Sequence, residues 1–319
     1  LLRDIGKGDD PQIDAITAVI NQVAPDILVL TDFDFDGSGA ALSAFAAQLD
    51  QPYAHQFSAV PNAGHQTGLD LDGDGFTGDA RDAVGYGRFL GDGGLAILSH
   101  YPIQQDAVQD YSATLWRDIP DAALPMVNGT LFPTPDVFET LPASSTAHWS
   151  VPIDVGKGRI TLLAFDATPP VFDGPEDFNG LRNAAELRLW TAVLNGHFGP
   201  TPANPIVIGN ANADPFDGEG SQQVIHDLLH HRSLQDPRPV SRGAAQAADA
   251  THLGPAAQDT ADWRGDVPGN LRVSYVLPSR DLAVVDAGVF WPAPDAPMAA
   301  MVIAAGSHRL VWVDIALPQ

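Results

Sequence analysis

The sequence predicts an α/β protein in which two packed mixed β-sheets are flanked by helices, formed as a single domain over residues 1–319. Three observations carry this expectation. Helical and strand periodicities alternate through the first two thirds of the chain, whereas the last quarter offers strands with few helical signals between them. A purely doubly wound parallel sheet would keep alternating to the end, so two mixed sheets fit better. The chain is also 45% hydrophobic, enough to bury a sizeable core, and no apolar run approaches the roughly 18 residues of a membrane span.

Ile13, Ile16, Val19, Ile20 and Val23 recur at helical spacing, and the apolar run 27–30 that follows is a buried strand. A helix over 40–49 and strands over 53–60 and 95–98 come next. Residues 159–165 alternate as a strand, 181–194 carry a helical stripe, 206–208 form a strand, and 224–229 are helical. Strands over 271–277, 282–285 and 310–315 complete the pattern. Two stretches rich in Pro, Gly, Ala and Asp, 118–142 and 237–266, are expected as long surface loops.

Forty acidic against sixteen basic residues give a net charge of −24. Such a surface repels a polyphosphate backbone within the Debye length of about 10 Å, so nucleic acid is a disfavoured partner. It suits saline or calcium-containing surroundings. There is no cysteine, which excludes disulfides, thiolate metal sites and a cysteine nucleophile. The opening residues LLRDIGKGDD have no basic and apolar leader, so the chain is expected to be soluble and, if exported, already processed.

Asp70, Asp72, Asp74 and Gly75 form Asp-x-Asp-x-Asp-Gly, a calcium-loop pattern in which alternate carboxylates converge on a hard cation. The twelfth position is Arg81, not the Glu of an EF-hand. Asp79 or Asp82 could close the shell, and the Phe76 carbonyl could add a ligand; the alternative is an acidic turn without metal. A second such pattern begins at Asp32 and ends at Gly37, and is read as a strand-end turn with solvated acids. His148 and Trp149 are read as packing. Arg182 and Asn183, at the start of a helix, could hold phosphate or simply belong to a capped helix with a surface ion pair. His226, His230 and His231 are expected on the surface, and Asn128-Gly129-Thr130 fits a glycosylation sequon.

Several segments in order resemble the endonuclease/exonuclease/phosphatase superfamily, in its bacterial secreted hydrolase or phosphatase branch. They are DDPQIDAITAVINQVAPDILVLTDFDFD, GDGGLAILSHYPI, TPPVFDGPEDFNGLRN, GNANADPFDGEG, NLRVSYVLPS and GSHRLVWVDI. The resemblance implies a four-layer α/β sandwich and a cleft in which magnesium or manganese polarises a phosphate ester while a histidine and carboxylates activate water. It places Asp32 where the family has a metal-binding Glu. Asn212 and His308 match family residues. Asn210, Ser274 and Ser307 stand where acids are expected, and Asp166 stands where a phosphate-contacting histidine is expected.

The family's opening strand should precede the helix near Pro11, and the chain begins at Leu1 without it, so the strand is either trimmed from this sequence or unobserved, or lost from the architecture. A gap there would leave unpaired backbone groups that a neighbouring chain could fill by donating a strand. Three functions follow from this reading. The first is a secreted or periplasmic, catalytically degenerate scaffold serving binding or assembly. The second is an active metal-dependent phosphatase or phosphodiesterase on small phosphate esters, using Asp32, Asp166, Asn212 and His308. The third is a calcium-stiffened structural protein that self-associates through the gap.

Overall fold

The computed structural model describes residues 1–248, 250–263 and 268–317. The chain runs through α1 (Leu2–Lys7), α2 (Pro11–Val23), β1 (Ile27–Phe33), α3 (Ala40–Ala46), β2 (His55–Phe57), β3 (Gly94–Ser99) and β4 (Gln109–Asp110). A small hairpin, β5 (Met126–Val127) and β6 (Thr130–Leu131), precedes β7 (Ala147–Asp154), β8 (Arg159–Asp166), α4 (Phe178–Leu194), β9 (Pro205–Asn210), α5 (Gln222–Leu229) and α6 (Arg242–Ala247). The last part holds β10 (Ala261–Asp262), β11 (Asn270–Leu271), β12 (Ser274–Pro278), β13 (Val284–Phe290), α7 (Ala299–Ala305) and β14 (Leu310–Ile315).

Local chemistry fixes the first elements. The Asp10 carboxylate accepts the N–H groups of Gln12 and Ile13, Pro11 occupies the first helical turn, and α2 ends on a left-handed Ala24. Its apolar stripe then has one place to go. Ile13 and Ile20 pack with Leu42 and Phe45 of α3 and with Leu28 and Leu98, on the outer face of the three-stranded antiparallel sheet β1-β3-β2.

The larger sheet has the order β12-β9-β8-β7-β4; β8 and β9 are parallel and the other neighbours antiparallel. Along β8 the strand period sends Ile160, Leu162 and Ala164 to one side and Leu163 and Phe165 to the other. The first set meets Leu95 and Ile97 of β3, joining the two sheets face to face. The second set packs on Leu187, Leu189 and Trp190 of α4 and on Ile225 and Leu228 of α5. A third pair, β13-β14, stands apart from both sheets in its hydrogen bonding.

The differences from expectation have physical causes. The strand expected over 53–60 contracts to His55–Phe57, because only that stretch finds the end of β3 to pair with. The stretch 118–142 is not all surface: Val137, Phe138 and Leu141 are buried beside Trp116. The stretch 237–266 contains α6 and β10, with residues 249 and 264–266 of it lying outside the described residues. α7 arises in a region with little helical signal, anchored by Val302 on Val19 and Val289. No helix among the described residues is long and apolar enough to cross a membrane.

Candidate active-site cleft and acidic loop

Strand register assembles the cleft. Asp166 at the end of β8 pairs with Asn210 at the end of β9, and Asn210 pairs with Ser274 at the start of β12. Three positions picked from the sequence therefore form one row across three adjacent strand ends. The Asn210 amide donates to Asp166 Oδ1 at 3.0 Å, and its own carbonyl oxygen accepts the Asn212 N–H at 3.2 Å. Asn212, with φ of 49°, turns its side chain to donate to the Ala167 carbonyl at 2.8 Å.

His308 stands at the other end of the row, with Ser274 Oγ 3.4 Å from its Nδ1. It keeps a solvent-exposed flank, yet Trp263 lies edge-on at 5.3 Å between ring centroids. Desolvation of the ring, then the charge of Arg309, lowers its pKa to about 4. Ser307 contributes its carbonyl to the Asp262 N–H at 3.0 Å.

Asp32 sits where the β1-β3 register shifts between Leu30 and Phe33, with φ of 55°. The bulge aims its carboxylate at Gly93, where a Cβ would lie 2.7 Å from Asp32 Oδ1. Burial, then the nearby charges of Asp34 and Asp92, raise its pKa. Asp166 is pushed further, up to about 8, chiefly by burial; the Asn210 hydrogen bond opposes the shift, and the charges of Asp32 and Glu186 add to it. The shift favours the protonated carboxyl near neutral pH. Among the described residues no three Asp, Glu or His ligand atoms of the cleft lie within 4.8 Å of one another; a magnesium or manganese ion there would rest on one or two carboxylates, Asp32 and Asp166, with water and substrate phosphate completing its shell.

The acidic loop does reach that spacing. One carboxylate oxygen from each of Asp70, Asp72 and Asp74 falls within 4.8 Å of the others. The remaining predicted ligands are placed differently: Asp79 and Asp82 lie outside this trio. Asp82 is buried, and its carboxylate accepts the N–H groups of Leu71, Gly78 and Asp79, so it braces the loop from beneath. Phe76 is exposed and its N–H donates to Asp74 Oδ1. Arg81 lies 3.6 Å from Asp72 Oδ2. In the second acidic turn Asp36 accepts N–H groups from Ser38, Ala40 and Ala41 at the start of α3; with the Ser38 hydroxyl as the largest cause, its pKa falls to about 2.

Arg182 and Asn183 do not reach the cleft surface. Both are buried; Arg182 donates to the carbonyls of Pro142, Ala143 and Ser144, and Asn183 to those of Thr168 and Ala211. Their donors are consumed by the interior, which corrects both the phosphate-binding and the surface-pair readings. His231 is likewise buried, not exposed, with Nε2 3.3 Å from Asn195 Oδ1. His148 is fully buried between Ser144 Oγ and the Glu186 carbonyl, and burial pushes its pKa down to about 3, as suits a packing residue. Asn128 is exposed in the β5-β6 turn.

Sequence reasoning missed Glu186. It is fully buried on α4, and its carboxylate accepts the N–H and hydroxyl of Ser145 and the N–H of Thr168. Burial pushes its pKa up to about 7. Its only signal was Arg182 one helical turn earlier, a spacing shared by ordinary surface pairs.

The model of the endonuclease/exonuclease/phosphatase family matches residues 5–307. No curated protein matches the chain in sequence. Among solved structures, an endonuclease/exonuclease/phosphatase from Beutenbergia cavernae is similar at 16% identity and a TM-score of 0.54, covering 97% of this chain and 66% of its own. This chain thus spans about two thirds of that protein. A family protein from Leptotrichia buccalis aligns at 13% identity and a TM-score of 0.54, covering 96% of this chain and 93% of its own. Sphingomyelinase C from Streptomyces griseocarneus aligns at 14% identity and a TM-score of 0.50, covering 96% and 88%. At these identities the likeness is one of fold.

Proposed function

The chain belongs to the endonuclease/exonuclease/phosphatase family, and from that premise we propose that it is a hydrolase-fold scaffold whose phosphoester chemistry is largely lost and whose retained surfaces serve binding. The architecture is read as the family's four-layer sandwich, supported by separate apolar clusters on both faces of each large sheet. One observation carries the functional reading: across three adjacent strand ends the row Asp166, Asn210, Ser274 presents one carboxyl beside an amide and a hydroxyl, and ends on His308. An amide and a hydroxyl supply neither the charge that a divalent cation prefers nor a counter-charge for an imidazolium. Losing the carboxylate that orients a catalytic histidine costs roughly 10⁴-fold in the serine-protease case.

The test is hydrolysis of bis(p-nitrophenyl) phosphate and p-nitrophenyl phosphate with Mg²⁺, Mn²⁺ or Ca²⁺. The parent chain is expected to show turnover no greater than its His308→Ala variant. The combined variant Asn210→Asp, Ser274→Asp, Ser307→Asp is expected to gain metal-dependent turnover. Metal-stimulated hydrolysis by the parent, abolished by His308→Ala, would overturn the reading in favour of an active phosphatase on small phosphate esters. The Ser274–His308 contact is the observation that favours that second reading.

The trio Asp70, Asp72 and Asp74 is read as a calcium loop, supported by its converging carboxylates and the left-handed turns at Gly73 and Gly75. Three carboxylates without the bidentate Glu place it at the weak end of calcium affinities, roughly 10⁻⁴–10⁻³ M, met by extracellular modules. An extracellular or periplasmic location follows as part of the same proposal. Saturating Ca²⁺, about 100-fold above Kd, is expected to raise the melting temperature by a few degrees. Asp72→Ala should remove that increment; an equal increment in the variant refutes the loop.

A further inference from the structure

The end of α5 and the residue that caps it carry the run His226-Asp227-Leu228-Leu229-His230, with two histidines four apart and therefore one above the other on the same helix face. The opposite face is committed to the core: Val224, Ile225, Leu228 and Leu229 are buried with the large sheet and α4. The two imidazoles stand beside each other, with ring centroids 5.7 Å apart and planes tilted by 33°. His230 is exposed and His226 is half-buried, with Phe216 edge-on to it at 5.8 Å. Neither ring belongs to the cleft row or to the acidic loop.

That spacing suits a shared metal ion. An imidazole nitrogen binds zinc at about 2.0–2.1 Å, which puts the ion roughly 3.2 Å from the ring centroid. Two rings on one ion then have centroids at most about 6.4 Å apart, and about 5.2 Å apart at the tetrahedral angle. The observed 5.7 Å lies between these limits, so closing the chelate needs a ring movement of about 0.5 Å, within the play of the side-chain torsions. The tautomer is set as well. Nδ1 of His230 lies 2.9 Å from the His226 carbonyl oxygen, which can only accept, so in the neutral ring Nδ1 carries the proton and Nε2 the lone pair. A ring N–H tied to a backbone carbonyl is the usual outer contact of a metal-binding histidine. A simple helix cap would account for that bond of His230 but not for the ring of His226 beside it. Asp227 is turned elsewhere, its Oδ1 accepting from Gln223 Nε2 at 2.7 Å. The negative end of α5 and the net charge of −24 both favour a cation here.

We propose that His226 and His230 form a chelating site for a late first-row divalent cation, with zinc as the reference ion and copper(II) and nickel(II) held by the same nitrogens. Imidazole is the donor these ions prefer among the side chains of a cysteine-free protein. Two protein ligands leave the other coordination positions to water or to a donor from a bound molecule, so the ion is taken up reversibly; this is not the closed four-ligand site of a structural zinc. The site differs in chemistry from the trio Asp70, Asp72 and Asp74, whose oxygen donors suit calcium. It also stands apart from the hydrolysis reading, so the three tests can fail separately.

The full chain, stripped of metal and then held in saturating Ca²⁺ so that carboxylate sites are filled, is titrated with ZnCl₂ by isothermal calorimetry at pH 7.5. Saturable binding of one ion per chain is expected. His226→Gln and His230→Gln should each weaken it by about tenfold or more, because one imidazole alone loses the advantage of two linked donors. Glutamine keeps size and polarity at these positions, so both variants should match the melting temperature of the parent without metal. His65→Gln, at an exposed histidine elsewhere, should leave the titration unchanged. Pulsed electron paramagnetic resonance of the copper(II) form should count two bound imidazoles in the parent and one in either variant. No zinc binding up to the millimolar range, equal affinity in parent and both variants, binding removed by Asp72→Ala, or a single imidazole on the copper of the parent would each overturn the proposal.

Discussion

Glu186→Ala is expected to lower the free energy of unfolding by about 3–5 kcal/mol, measured by urea denaturation at pH 8. The carboxylate is fully buried and accepts three hydrogen bonds, two from backbone N–H groups of segments distant in sequence, at Ser145 and Thr168. Alanine leaves those donors without acceptors in a site too enclosed for ready hydration, and adds a cavity. Glu186→Gln should cost less, because one amide oxygen still accepts while the amide nitrogen meets a donor. The cost of Glu186→Gln should grow as the pH falls below 7, because the folded parent takes up a proton there and gains stability that the glutamine variant does not. Equal stability of parent and Glu186→Ala would show that the Ser145 and Thr168 segments do not depend on this group.

The second large effect has the opposite sign. Asp166→Asn is expected to stabilise the protein at pH 8 and to leave it unchanged near pH 4. In the unfolded chain the Asp166 carboxyl ionises near its ordinary value of 3.8, whereas in the fold burial raises it to about 8. Between those limits the folded state binds the extra proton, so its stability falls as pH rises from about 4 to about 8 and is level above. Asparagine retains the oxygen that accepts from Asn210 and has no proton to lose. Each pKa unit of difference corresponds to about 1.4 kcal/mol. The buried, neutral His148 works in the other direction: it stabilises fully above pH 6.5, and that contribution fades as acid protonates the unfolded chain. Comparing Asp166→Asn with the parent at each pH cancels the histidine. Melting curves in chelator from pH 4 to 9 that show a constant difference would contradict the assignment.

The parts of the fold governed by local pattern were legible in the sequence. β8 and β9 announce themselves by apolar residues at strand spacing, and α2 by its stripe and its Asp-Pro start. The cleft row was legible for a different reason, because strand-end motifs survive substitution at single positions; Asp166, Asn210 and Ser274 did come together. Arg182 and Glu186 were not legible as interior groups. Only the closure of residues 142–145 and 168 over α4 removes them from water, and that packing leaves no mark on the helix itself. α7 was missed because AAMVIAA is short and flanked by Pro and Gly, so its existence rests on tertiary contacts with α2 and β13. A groove between β1 and β14 joins opposite ends of the chain, and no window along the sequence contains both of its walls.

Among the described residues β1 pairs only with β3 and β14 only with β13, and these open edges bear on how concentrated solutions of this protein behave. Unpaired N–H and C=O rows beside apolar side chains are templates for edge-to-edge polymerisation. At pH 7 a net charge of −24 holds copies apart, and added salt shortens the reach of that repulsion. Near the isoelectric point of about 4.4 the barrier vanishes while the edges persist. Light scattering should therefore rise sharply as the pH approaches 4.4 and fall again on the acid side while the fold survives, making the surplus of ionised acidic side chains the agent that keeps this molecule dispersed at pH 7.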